Sequence, residues 1–216
     1  MRIISAAAPP FMKNGFVVSC EDTREAVLID PGDEVATLLR QALNDRLQVK
    51  AILLTHAHLD HVTGVAAAKQ ALGVPVWLHR DDLFLYHGAV EQGRMFGLRV
   101  DPPPAVDHCY EAGTPFVFGR YTVDVLHTPG HCPGGVCLAI GRTGETEREL
   151  FVGDTLFAGS IGRTDLPGGD FATLMRSIRD VLFAFPDETI VHPGHGSGTT
   201  IGEEKRTNPF VRGTEV

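Results

Sequence analysis

The chain is short of several things, and each shortage argues against a class. It has four cysteines in 216 residues, Cys20, Cys109, Cys132 and Cys137, and no two stand in CxxC spacing. A chain of this size does not depend on disulfides to fold, so reduced thiols in a soluble cytoplasmic protein are expected. No apolar run approaches the roughly 20 residues that cross a bilayer, so no membrane partner is expected. Pro9, Pro10, Lys13 and Asn14 interrupt the apolar start too early for a signal-peptide core. Positive charge is in deficit, with 19 Lys and Arg against 27 Asp and Glu and a formal net charge of −8. An acidic chain gains nothing from a phosphate backbone, which argues against nucleic acid as a partner. There is no GxSxG elbow, hence no serine nucleophile of that kind. Linkers, repeats and low-complexity tracts are also missing, so one domain over residues 1–216 is expected.

What is present is an alternation of short strands and helices. Phe16 to Cys20 and Ala26 to Ile29 read as strands around the polar turn EDTRE. DPGDE then breaks the chain, with Asp33 as the expected N-cap of a helix reaching Leu47. Val49 to Leu54 is an apolar strand, Val65 to Leu72 an Ala-rich helix, and Val74 to Leu78 another strand. Residues 81–104 form an irregular excursion in which Phe84, Tyr86, Met95 and Phe96 are candidates for a pocket wall or for core. Strands follow at Phe116 to Phe118, Tyr121 to Leu126, Val136 to Ile140 and Leu150 to Val152. An amphipathic helix is expected over Phe171 to Phe185, with Leu174, Ile178, Val181 and Leu182 on one face. Thr189 to Val191 reads as a last strand, and GEEKRTNPF as a charged surface helix. Sheets covered by helices follow from this order. Periodicity alone leaves open whether there are one or two.

The chemistry concentrates where strands end. THAHLDH, residues 55–61, follows an apolar strand and carries His56, His58, Asp60 and His61. Three imidazoles and a carboxylate in so short a turn form a donor set for a borderline divalent metal. VLHTPGHCPGG brings His127 and His131, ELFVGDTLF brings Asp154, and TIVHPGHGSG brings His192 and His195. Each is an apolar strand running into a Gly-containing turn, the place where a rigid scaffold presents functional side chains.

THAHLDH, TPGH, GDTLF and PGHG resemble, in order and setting, the metallo-β-lactamase superfamily over nearly the whole chain. The resemblance implies an α+β fold, an αββα sandwich of two mixed sheets flanked by helices. It also implies that one metal takes His56, His58 and His131, the other takes Asp60, His61 and His195, and Asp154 bridges them. His127 and His192 are then expected to cap or pack. Two divalent ions are implied, zinc first, with iron or manganese as alternatives. An Asp at 154, where the true β-lactamases usually carry Cys, points to the thioesterase and lactonase branch.

Such ions lower the pKa of a shared water towards neutrality and so supply a hydroxide, with Asp60 as its orienter or proton acceptor. GDTLFAGSIGRTDLPGGD and PGHGSGTTIGEEKRTNPF resemble glyoxalase II and its shorter bacterial relatives. That likeness implies hydrolysis of a small thioester, S-acylglutathione, for example S-lactoylglutathione. Arg163 and Asp165 stand where the longer enzymes place a Lys and a Tyr on glutathione, and Arg163 is the candidate for a substrate carboxylate. Persulfide dioxygenases resemble the same family; their single iron would take His56, His131 and Asp154 here. A lactonase or phosphodiesterase of the same fold, and a metal-binding module without catalysis, are the further alternatives.

Overall fold

In the computed structural model, which describes residues 1–212, contacts divide the chain into two compact units. One comprises Met1–Glu111 with Val117–Tyr121; the other comprises Ala112–Phe116 and the chain from Thr122 on.

The first unit is built on a six-stranded sheet, β1 (Arg2–Ala8), β2 (Lys13–Ser19), β3 (Glu25–Ile29), β4 (Gln48–Leu53), β5 (Val76–Leu78) and β6 (His108–Cys109), in that order. β1, β2 and β3 pair antiparallel; β3 to β6 pair parallel. Parallel strands need crossover connections. Here they contain helices α1 (Val35–Asn44), α2 (Leu59–Val62), α3 (Val65–Leu72), α4 (Leu83–His87) and α5 (Ala89–Met95). The central strands are buried on both faces, which is why AVLI and AIL read as unbroken apolar runs.

The structure departs from the sequence reading at several places here; the excursion at 81–104 contains α4 and α5, and the sequence reading does not include β6. β1 is a strand that the sequence does not announce, because its Ala-rich RIISAAA carries little strand propensity. Asp33 does not cap α1; Glu34 occupies the N-cap without a side-chain bond, because its carboxylate is turned to the buried Lys13. α1 stops at Asn44 rather than Leu47, since Arg46 takes a left-handed φ of 53°.

The second sheet contains β7 (Phe116–Phe118), β8 (Tyr121–His127), β9 (Val136–Arg142) and β10 (Glu149–Gly153). After a two-stranded ribbon, β11 (Leu156–Phe157) with β12 (Ser160–Ile161), come α6 (Phe171–Arg176), β13 (Ile190–Pro193), β14 (Thr199–Thr200) and α7 (Ile201–Thr207). The sheet order is β14-β13-β10-β9-β8-β7, with β10 parallel to β13 and antiparallel to β9. Both six-stranded sheets are mixed and the class is α+β, as expected. Leu138, Leu150, Val152, Ile178, Leu182 and Val191 are fully buried along this sheet and its helix.

Three further differences lie in this unit. The helix expected over residues 171–185 is α6 followed by a π turn at Ser177–Val181 and a 3₁₀ turn at Leu182–Ala184. The widened turn leaves Val181 half-buried and brings Met175 into the core. β13 is not the last strand, because β14 folds back on it. In α7, Glu204 is buried rather than on the surface: it accepts bonds from Gly159 N at 2.9 Å and Thr199 Oγ1 at 2.6 Å, tying the β11–β12 ribbon to the helix.

Candidate metal centre

In the first unit β4 ends at Leu53, the chain turns through Thr55 to His58, and α2 begins. His58 is extended (φ −67°, ψ 154°), so His56 and His58 precede the helix while Asp60 and His61 lie in it. The turn gathers the rings: centroids of His56 and His58 are 5.0 Å apart, those of His56 and His61 4.0 Å. The ligand atoms of His56 and His58 lie within 4.8 Å of each other. All three imidazoles are buried and Asp60 is half-buried.

Burying imidazoles is costly unless their nitrogens are engaged. Asp30, at the end of β3, does much of this. Its carboxylate accepts from Thr55 N at 2.7 Å, Thr55 Oγ1 at 2.6 Å and His61 Nδ1 at 3.0 Å. With its proton committed to Asp30, the Thr55 hydroxyl accepts from His56 Nδ1 at 3.1 Å. Both rings are thereby set with the proton on Nδ1 and the lone pair on Nε2, the tautomer a metal requires. His61 Nε2 then stands 3.7 Å from Asp60 Oδ2. Two lone-pair donors that share one ion at about 2.0–2.2 Å are separated by roughly 3.2–3.7 Å at tetrahedral-like coordination angles. The buried Asp82 accepts from Ala57 N at 3.0 Å and pins the turn between His56 and His58.

In the second unit His131 follows β8, Asp154 follows β10 and His195 follows β13. His131 Nδ1 donates to the Arg163 carbonyl at 2.7 Å. A carbonyl only accepts, so the lone pair is again on Nε2. That nitrogen is 3.7 Å from Asp154 Oδ2, and His195 Nε2 is 3.6 Å from the same oxygen. One carboxylate oxygen therefore stands between two imidazole nitrogens at ligand spacing. Phe157 on β11 meets the His195 ring edge-on at 6.0 Å. Gly162 lies so close that an added Cβ would overlap the Asp154 carbonyl oxygen and come within 3.1 Å of His131 Nδ1.

The other histidines have structural partners. His127 Nε2 meets the Pro133 carbonyl at 2.9 Å; His192 meets Glu149 at 2.7 Å and stacks on Phe151. His79 accepts from Asp81 N at the start of a 3₁₀ turn. The Arg163 guanidinium grips Asp165 through two bonds of 2.7 Å, with both residues exposed. Those bonds hold the Asp165 carboxyl down to about 2. Lys205 and Arg206 pair with Asp187 and Glu203. Tyr86 is core, whereas Phe84, Met95 and Phe96 are exposed.

Sequence reasoning misses Asp30, Thr55 and Asp82. Asp30 carries a usable signal: like Asp154, it is an acidic residue at the end of an apolar strand, here ahead of Pro-Gly. Thr55 opens THAHLDH, but a lone hydroxyl there does not stand out among imidazoles. Asp82 has no signal, because the crossover that brings it under Ala57 is not written in local spacing.

Imidazoles and carboxylates gathered at strand ends and at the start of α2, with the lone pairs of His56, His61 and His131 set on Nε2, fit divalent transition metals, and the fold and donor chemistry define a metal-dependent hydrolase. The model of the metallo-β-lactamase superfamily matches residues 8–195, and the chain belongs to that superfamily. It is 41% identical to the hydroxyacylglutathione hydrolase GloC of Haemophilus influenzae, over 88% of this chain and 89% of that one. Among solved structures, TTHA1623 in a di-iron-bound form is 45% identical with a TM-score of 0.84, covering 96% of this chain and 99% of that one. The BLEG-1 B3 metallo-β-lactamase is 37% identical with a TM-score of 0.88, covering 98% of this chain and all of the other. Among the described residues no helix is long and apolar enough to cross a membrane.

Proposed function

We propose that the protein is a glyoxalase II-like thioesterase that hydrolyses S-acylglutathione, S-lactoylglutathione first among candidates. In this reading His56, His58 and His131 would hold one ion, Asp60, His61 and His195 would hold the other, and Asp154 would serve both. The observation that carries it is Asp154 Oδ2 at 3.7 Å from His131 Nε2 and 3.6 Å from His195 Nε2. The likeness to GloC over nearly both full lengths supports the substrate class. Zinc is the first ion to test; the likeness to TTHA1623, solved in a di-iron-bound form, supports testing iron beside it, with manganese third.

When bound, two such ions polarise the thioester carbonyl and bring the pKa of water towards neutral. The chain's own residues do the rest. Asp60 orients the attacking water and takes up its proton. Asp30, Thr55 and the Arg163 carbonyl hold the imidazoles in one tautomer. Water oxygen bonds to the acyl carbon, the C–S bond breaks, and sulfur leaves as thiolate with the bonding pair. A thiolate needs little protonation, which suits a centre poor in general acids. Cys132 and Cys137 are buried, and burial pushes the Cys137 thiol well up, so neither serves as nucleophile.

The test is S-lactoylglutathione turnover by purified protein before and after chelator treatment, then after refilling with Zn²⁺, Mn²⁺ or Fe²⁺. Turnover that is lost with the metal and restored by refilling is the expected result. No turnover with any ion overturns the reading in favour of iron-dependent persulfide oxidation through His56, His131 and Asp154. Lactone, phosphodiester or β-lactam turnover faster than thioester turnover assigns another branch.

Arg163 is the proposed contact for a substrate carboxylate, and it must exchange Asp165 for it. Arg163→Met is expected to raise KM for S-lactoylglutathione by about 10-fold, the scale of one exposed charge-assisted pair, with kcat little changed. Steady-state kinetics check this; an unchanged KM removes Arg163 from substrate binding.

A further inference from the structure

Beneath the Asp60–His61 helix lies an ion pair that the proposed chemistry does not use. Lys13 on β2 and Glu34 at the head of α1 are 1% and 3% exposed, with Nζ and Oε1 at 2.7 Å. A buried ion pair is a weak source of stability, since apolar residues of similar volume commonly replace it at no cost. Its bonds indicate what it does instead. Lys13 Nζ also donates to the Asp30 carbonyl, and Glu34 Oε1 also accepts from Gly32 N at 2.9 Å. The pair thus clamps both ends of the Asp30-Pro31-Gly32 turn.

That turn is packed on both ends of α2. Gly32 lies so close to the Asp60 carbonyl that an added Cβ would overlap it, and Gly64 N donates to the Pro31 carbonyl at 3.1 Å. The Asp30 carboxylate rises from the same turn to His61 directly, and to His56 through the Thr55 hydroxyl. Asp30 itself is left-handed (φ 46°), a conformation that needs support from its surroundings.

We propose that Lys13 and Glu34 are positioning residues for the metal centre: by clamping the Asp30–Gly32 turn they fix where the Asp30 carboxylate presents its acceptors and so set metal affinity. This rests on the ligand assignment above. His61 feels the clamp through one bond and His56 through two, so the ion held by Asp60 and His61 weakens more.

The experiment is a Zn²⁺ titration of metal-free full-length protein against a chelating dye, with folding followed by circular dichroism. Lys13→Met with Glu34→Met roughly keeps the side-chain lengths and removes the clamp. It is expected to fold and to bind one of its two Zn²⁺ ions, the one assigned to Asp60 and His61, about 10- to 100-fold less tightly, the usual cost of losing an outer partner of a ligand. Lys13→Gln with Glu34→Gln keeps a donor and an acceptor without charge, and is expected to recover part of that affinity. Adding Asp30→Asn to the Met pair is expected to cost little more, because both act through one carboxylate. Should the Met pair fail to fold, Lys13→Gln alone is the readout, with a several-fold loss in the same ion expected. Unchanged Zn²⁺ affinities in folded variants, or full additivity with Asp30→Asn, overturn the proposal and leave the ligand assignment standing. Wild-type protein that takes up no Zn²⁺ overturns both.

Discussion

Asp154→Ala is expected to lower kcat/KM for S-lactoylglutathione by about three orders of magnitude or more and to strip metal from the protein. Losing one outer hydrogen-bond partner of a ligand costs roughly 10- to 100-fold. Asp154 is closer in, with one oxygen spaced for coordination beside both His131 and His195. Its removal leaves those two imidazoles without a shared anion and reduces the charge that offsets two dications. Metal content by elemental analysis and initial rates measured at a fixed ion excess check this together. A variant that retains two ions and near wild-type rates removes Asp154 from the bridging position.

Gly162→Ala, with no polar atom changed, is expected to be almost as damaging. The new methyl group would overlap the backbone oxygen of Asp154 and crowd His131 Nδ1, and backbone does not move aside cheaply. The expected loss is about 3 kcal/mol of stability, at the upper end for inserted bulk. That corresponds to a fall of roughly 6–12 °C in Tm for a chain of this size. Displacing a ligand by about 1 Å adds on the order of 100-fold in rate. Gly159→Ala is the internal control: it has φ 70° and open space for 4 Å around the position a methyl group would take, so only the left-handed strain of about 1 kcal/mol applies. Thermal denaturation and kcat/KM, measured on both, separate the two effects. Equal behaviour of the two variants removes close packing at Gly162 as the cause.

The proposed ligands are legible because they fall where a short-range signal exists. An apolar strand followed by a Gly-containing turn marks a sheet end, and His131, Asp154 and His195 each occur there, while His56 follows a strand into a turn dense in imidazoles. The supporting residues are less legible for a physical reason. Asp30 reaches His61 across 31 positions and Asp82 reaches Ala57 across 25, so the bonds that fix the ligands are products of topology. The same holds for Glu34. Its neighbourhood reads as the start of a helix, yet the β3–β4 crossover lays that helix against β2, where Glu34 meets Lys13. Chain-local signals also fail where propensity misleads: Ala-rich β1 forms a strand through pairing with β2, and the helix after Asp170 widens at Ser177, whose hydroxyl bonds the Pro129 carbonyl.

The burial of the cysteines bears on how the chain would tolerate the proposed chemistry. A thioester is an activated acyl donor, and any accessible thiolate exchanges with it and keeps the acyl group. Cys20, Cys132 and Cys137 are at most 1% exposed, and Cys109 is half-covered on β6. Burial raises the Cys20 thiol, but hydrogen bonds from Thr23 and the Arg120 backbone outweigh it and leave the thiol lowered, so its protection is steric. With a thioester as substrate, the burial of Cys20, Cys132 and Cys137 would leave water as the acyl acceptor and keep these three sulfurs out of the exchange.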